Sequence, residues 1–344
     1  MKFDALAVNT LKRQPGRPQI MEHWGVLSTS RHLETLMKLS VILVAYDMAR
    51  EIPRTLESLS RPYQEGAENL EYEVLLLDNG SPVPLDEASW SGLDVPVKLI
   101  RIDDASTSPA SAINRGLQLA RGELVCLMID GAHMLTPGVF RMALSAYQAF
   151  DNAVVAIRYF YLGVGEQTES VLHGYDQEVE DGLLGRIDWP SDGYRLFEIG
   201  TPLRSGAKRM TWFNRLAEAN CLIMKRSFFQ LQGGADERFD FPGGGFLNLD
   251  IFKRAVEAPE ITPVQIIGEG SFHQLHGGTT TNPVSQEERR EKLEKYREQY
   301  RDIRGHTDVM SKVSFTYMGH MPTQPSNISA VEKRRARLAG KPFE

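Results

Sequence analysis

Cysteine is nearly absent from this chain: there are two in 344 residues, Cys126 and Cys221. Each sits inside an apolar run and reads as a small core residue, so neither a disulfide framework nor a zinc site is expected. No stretch approaches the ~20 apolar residues that a membrane-spanning helix needs. Residues 1–7 lack the basic start and sustained apolar stretch of a signal peptide, and the cytoplasm is the expected compartment. An excess of positive charge is missing as well. The formal net charge is −6 at pH 7, which argues against a nucleic-acid partner, because neutralising phosphates takes a concentrated basic surface. Nor does a Gly-x-Gly-x-x-Gly turn follow the first apolar run. Tyr46-Asp47-Met48-Ala49-Arg50 stands there instead, which disfavours a dinucleotide-dependent oxidoreductase.

What is present is a composition that can build a core, 42% hydrophobic and 24% charged. The length exceeds the ~250 to 300 residues of a single core, so one large domain with appendages, or two domains, is expected. Residues 1–38, with Pro15, Gly16 and Pro18, read as an N-terminal extension with a short helix around Arg31 to Lys38. From Leu39 onward short apolar runs alternate with segments of helical spacing. The runs are Leu39 to Ala45, Glu73 to Leu77, Val97 to Ile102, Leu124 onward, Ala153 to Phe160, Ala219 to Met224 and Val264 to Ile267. Helices are expected over Arg50 to Leu59, Pro109 to Arg121, after the Thr136-Pro137 pair, over Arg226 to Gln230 and over Leu247 to Val256. Such alternation predicts an α/β fold, a mostly parallel central sheet flanked by helices.

Residues 163–210 mix glycine and acidic residues among isolated apolar ones, and are read as a mobile or acceptor-facing insertion. Ser285 to Glu288 has the form of a capping box opening a charged helix to about Arg304, whose Leu293, Tyr296, Tyr300 and Ile303 form one narrow docking face. Residues 279–344 are therefore a helical C-terminal extension ending in a basic tail with Lys333, Arg334, Arg335, Arg337 and Lys341. Either that tail is simply solvated or it makes a weak peripheral contact with acidic lipid headgroups at the inner membrane face.

The stretch richest in chemistry is Leu124 to His133. An apolar run stops on Asp130 and offers an imidazole three residues later. A buried strand does not readily hide a carboxylate, so Asp130 is expected to emerge at the strand's C-terminal end, where α/β proteins place their ligands.

Five pieces in order carry a family likeness: Ser40 to Asp47, Glu73 to Ser81, Ala112-Ile113-Asn114-Arg115-Gly116 with Ala120-Arg121-Gly122, Asp130, and Gly233 to Phe239. Together, over residues 39–278, they resemble the family 2 glycosyltransferases of the GT-A fold. The resemblance implies a nucleotide-diphosphate sugar donor lying across the ends of the first strands. Ala45, Tyr46, Asp78, Asn114 and Asp130 would bind it, Tyr46 against the base, Asp78 accepting from the base edge and Asn114 near the sugar-phosphate. The competing readings are a half-buried core tyrosine, an Asx-turn residue and a packing asparagine.

Asp130 matches the first acid of the family's Asp-x-Asp element, which holds a divalent cation, but Ala132 occupies the second acid's place. His133, and His276 on the late strand, would complete the cation shell with Asp130, and imidazole ligands favour Mn²⁺ over Mg²⁺. In the competing reading His133 caps the next segment and His276 only packs. His273 and His276 would face one another only if helical, which the glycines nearby oppose. The family's base acid falls on Asn248, which cannot take a proton. Asp250 is the nearest substitute as general base, with Asp240 second, and an exposed acid paired with Lys253 or Arg254 is the alternative role of Asp250. The activity implied is inverting, metal-assisted sugar transfer to a hydroxyl on a glycan, lipid-linked or small-molecule acceptor. The rival expectation is a catalytically degenerate GT-A module that binds nucleotide-sugar or glycan without turnover.

Overall fold

The structure is a computed structural model that describes residues 39–203, 212, 214–277 and 286–321. The expected helix at 31–38, Ser285 of the capping box and the basic tail lie outside the described residues. In chain order the strands are β1 (Leu39–Ala45), β2 (Tyr72–Asp78), β3 (Val97–Arg101), β4 (Leu124–Met128), β5 (His133–Leu135), β6 (Ala153–Leu162), β7 (Gly200–Pro202), β8 (Leu222–Lys225), β9 (Thr262–His273) and β10 (Thr316–Gly319). Between them run α1 (Ile52–Ser58), α2 (Ala110–Leu119), α3 (Val139–Ala149), α4 (Gln167–Ser170), α5 (Gln177–Gly185), α6 (Leu196–Ile199), α7 (Arg226–Leu231), α8 (Leu247–Glu257) and α9 (Gln286–Arg304).

The sheet runs β10-β9-β6-β8-β4-β1-β2-β3, with β5 paired to β9 and β7 to β6. Pairing is parallel along β4-β1-β2-β3 and along β6-β9-β10, while β8 is antiparallel to both β4 and β6. The mixed, mostly parallel α/β sheet is the one the alternation predicted. β1 and β4 are buried along their whole length, because helices cover both faces, and that is why their sequences read as continuous apolar runs. Within β1 the faces alternate. Val41, Leu43 and Ala45 join a cluster with Ile52, Leu56, Phe140 and Ala143 of α1 and α3. Ile42 and Val44 join another with Ile113, Phe229, Phe252, Tyr296 and Tyr300 of α2, α7, α8 and α9. Cys126 and Cys221 are both buried and free.

Three differences from the sequence reading matter for the site. The described part of 163–210 is folded: α5 and α6 contribute Leu183, Leu184, Leu196 and Phe197 to a third apolar cluster with Phe160 and Phe272. The Thr136-Pro137 pair does not open α3. That helix starts at Val139 after Gly138 without a side-chain cap, and Thr136 Oγ1 donates instead to Glu269 Oε2 at 2.5 Å. β9 runs far beyond Val264 to Ile267 because it carries an irregularity. Ile157 of β6 stands opposite Ile266 but Arg158 opposite Gly270, so Ile267, Gly268 and Glu269 have no counterpart in β6. The outer half of β9 then pairs with β5, placing His133 directly across from His273.

Candidate active site

The C-terminal ends of β4, β1 and β2 lie side by side: Leu43 is opposite Met128, and Ala45 is opposite Asp78. Tyr46, just past β1, is 55% exposed, while Ala45 is buried. The next residue, Asp47, adopts φ 54°, a conformation Asp tolerates better than most side chains, and its amide donates to Ser81 Oγ at 2.9 Å. Asp78 is fully buried. Its Oδ1 accepts from the Ser81 amide at 3.0 Å and its Oδ2 pairs with Arg101 at 2.7 Å, so it closes the Asx turn that the sequence also allowed. Asn114 clamps a turn: its amide donates to Ala235 O and Glu237 Oε1 and its carbonyl accepts from the Ala235 amide. That places it under Gly233 to Phe239, with its hydrogen-bonding groups engaged by protein.

Asp130 emerges two residues beyond β4, its side chain one-third exposed. Asn220 grips its backbone from both sides, accepting from the Asp130 amide and donating to its carbonyl. Gly131 must follow, since a Cβ there would lie 2.7 Å from Val44 O. Asp130 Oδ1 accepts from the Ala132 amide, which turns Oδ2 toward β9. There Oδ2 lies 3.3 Å from His273 Nε2 and 3.1 Å from His276 Nε2, and those two nitrogens are 3.1 Å apart. One ligand atom from each of Asp130, His133 and His273 lies within 4.8 Å of the others.

His273 and His276 thus do face one another without being helical, correcting the expectation from their spacing. β9 ends at His273, and the backbone beyond it folds back as the Leu275 amide donates to Glu180 Oε2 at 2.7 Å, which returns His276 to the cluster. His273, which the sequence left outside the expected cation shell, joins the cluster in the structure.

Hydrogen bonds set the tautomers. His273 Nδ1 is 2.5 Å from Gln167 Oε1, an acceptor only, while Gln167 Nε2 donates to the His273 carbonyl, so Nδ1 carries a proton and Nε2 a lone pair. His133 Nδ1 is 2.8 Å from Ser271 Oγ, and its Nε2 is buried without a hydrogen-bond partner among the described residues. Tyr159 stacks on His273 and meets His133 edge-on, and Tyr161 closes the wall.

The electrostatics follow. Burial opposes ionisation of Asp130, yet the neighbouring His276 and His273 override it and hold the carboxyl well below its ordinary range. Burial, then His273, pushes His133 well down, and burial lowers His273 against the pull of Asp130. At His276 burial opposes the charge, but Asp130, with Glu51 and Glu180 beyond it, overrides burial and raises the pKa. A carboxylate oxygen and two imidazole nitrogens converging at such distances, beside an orphaned buried Nε2, form a donor set suited to a divalent cation, with Gln167 behind His273 and Ser271 behind His133 to fix those two rings.

Asp250 is elsewhere. Its buried carboxylate takes Arg254 at 2.8 Å and Arg304 at 2.7 Å, which joins α8 to α9 and leaves neither oxygen turned to an acceptor. Asp240 accepts from Gln299 of α9. Neither lies in the cluster that Asp130 organises. Asn248, in the first turn of α8, donates to Glu218 Oε2 at 2.6 Å.

The profile of glycosyl transferase family 2 matches residues 40–215. Among solved structures the chain is similar to S. aureus TarS 1–349 in complex with UDP, at 16% identity over 77% of this chain and 66% of that one, with a TM-score of 0.43. TarS 1–349 in complex with UDP-GlcNAc gives 16% identity, 77% and 67% coverage and a TM-score of 0.47. S. aureus TarS gives 16%, 77% and 40%, with a TM-score of 0.46. The chain thus spans about two thirds of the shorter TarS chains and 40% of the longer one. No curated protein matches it by sequence.

Proposed function

Because the chain belongs to glycosyl transferase family 2, we propose that it moves a sugar from a nucleoside-diphosphate donor to a hydroxyl acceptor with inversion, assisted by a divalent cation. The convergence of Asp130 Oδ2 with His273 Nε2 and His276 Nε2, next to the orphaned His133 Nε2, carries this reading. Asp130, His133, His273 and His276 would hold the ion, and this nitrogen-rich set favours Mn²⁺ over Mg²⁺. Bound there, the ion would offset the negative charge that grows on the departing nucleoside diphosphate.

The chain's own residues supply position and exclusion of water. Exposed Tyr46 offers a ring for the base to lie against, backed by the turn that Asp78 and Ser81 close. The Asn220 clamp fixes where Asp130 presents its carboxylate. Tyr159 and Tyr161 bury the imidazoles and shut water from their far side. A hydroxyl of a glycan, lipid-linked or small-molecule acceptor would approach the anomeric carbon from the face opposite the leaving phosphate.

The test is release of nucleoside diphosphate from UDP-glucose, UDP-N-acetylglucosamine and GDP-mannose with Mn²⁺. Asp130→Ala should lower release on the order of 100-fold, as should chelation of the ion. Release that ignores Asp130→Ala sinks the reading. Asn248 at the usual base position favours a second one, donor binding without turnover, which any turnover in the same assay removes.

A further inference from the structure

Glu218 is a carboxylate that neither the family likeness nor the cation cluster uses. It lies three residues before Cys221 on the approach to β8, half-buried, and Asn248 Nδ2 donates to its Oε2 at 2.6 Å. Its other oxygen has no hydrogen-bond partner among the described residues. Its charge reaches the phenols of Tyr159 and Tyr161, the rings that wall the imidazole cluster, and the charge of Asp130 reaches Glu218 in turn. Two residues on, Asn220 grips the Asp130 backbone from both sides, so Glu218 is tied by its side chain to the start of α8 and by a two-residue span of chain to Asp130. The position from which a carboxylate is missing, Asn248, is the one that touches it.

On the reading of this chain as a sugar transferase, the geometry points to Glu218 as its catalytic base, with Asn248 as the residue that positions it. The acceptor O–H passes its proton to the unbound oxygen of the Glu218 carboxylate. A lone pair of the acceptor oxygen forms the new bond to the anomeric carbon. The bond from that carbon to the donor phosphate oxygen breaks, and its electron pair leaves with the nucleoside diphosphate.

The local chemistry suits the task. An asparagine at 248 cannot take the proton, but it can hold one oxygen of the carboxylate still and leave the other open. Burial raises the pKa of Glu218, the Asn248 hydrogen bond lowers it, and the nearby Asp130 charge raises it again, for a net rise. A carboxylate drawn toward neutrality in this way is a stronger proton acceptor than an ordinary one.

The experiment uses the full chain with the same three donors and Mn²⁺, water serving as the hydroxyl. Glu218→Gln keeps an acceptor for the Asn248 amide and should fold as the wild type does. Its kcat should fall on the order of 100-fold, while its affinity for the nucleoside diphosphate of the active donor and its thermal midpoint stay unchanged. Adding Asn248→Asp to Glu218→Gln returns a carboxylate to the helix start and should regain about tenfold of the lost kcat. An active wild type whose Glu218→Gln form keeps its kcat overturns the base and leaves the transfer reading standing. So does a loss of nucleotide affinity or thermal midpoint in step with kcat, or a double variant no faster than the single one. A wild type inert with every donor overturns both.

Discussion

At His133 one hydrogen bond decides what the other ring nitrogen can do. With Nδ1 at Ser271, the buried Nε2 is left without a hydrogen-bond partner among the described residues, in a ring grouped with Asp130 and His273. His133→Phe keeps a ring against Tyr159 and His273 but removes that nitrogen. Mn²⁺ affinity by calorimetry should drop about tenfold or more, while the orphaned Ser271 hydroxyl lowers stability by only about 1 kcal/mol. Unchanged Mn²⁺ affinity would show that His133 is no ligand. At this scale the sequence was partly legible. An apolar run ending on Asp130 announces a carboxylate at a strand tip, because burial leaves it nowhere else to go. His273 was illegible, since its meeting with His276 depends on where β9 ends and on Glu180, nearly a hundred positions away, capturing the Leu275 amide. Glu218 was illegible for a similar reason: its meaning comes from Asn248, thirty positions on and in another element.

Among the elements, α8 and α9 are joined by a buried acid. Asp250 is 1% exposed and flanked by Arg254 and Arg304, with Arg304 also reaching Asp236 in the turn that Asn114 clamps. Asp250→Ala leaves two part-buried guanidinium groups without their carboxylate and should cost about 3 kcal/mol in denaturant unfolding, since removing one partner is the damaging change to such a pair. Asp250→Asn separates this role from catalysis: it should lower the midpoint yet leave kcat within about threefold. A kcat collapse at constant stability would restore Asp250 as base. The docking face of α9 could be read directly, because Leu293, Tyr296, Tyr300 and Ile303 recur at helical spacing and all four pack into one cluster. The short strands β5, β7 and β10 could not. Three or four residues carry no period, and such strands exist because a neighbouring strand offers its edge.

Over the whole molecule, Glu180 links the folded segment after β6 to the rest. Its carboxylate meets Arg50 of the turn before α1, Tyr175 OH and the Leu275 amide, while Arg50 and Arg54 also reach Asp181. Burial raises its pKa to about 7, only partly offset by the Leu275 amide and Arg50. The folded chain therefore holds a proton that the unfolded chain has released between the ordinary value of 4.5 and about 7. Stability from this group is complete below that window and falls as pH rises through it, by at most about 3 kcal/mol. Denaturant midpoints across the window should decline for the wild type and stay flatter for Glu180→Gln. Parallel curves would refute this. The surplus residues Ile267, Gly268 and Glu269 of β9 bear on the molecule in another way. Standing outside the β6 register, they leave Glu269 to accept from Thr136 Oγ1, the Gly138 amide and Tyr194 OH, so the extra length moors the outer half of β9 to the approach to α3. The strand that carries His273 is thus held in place by residues that a regular strand would have left out.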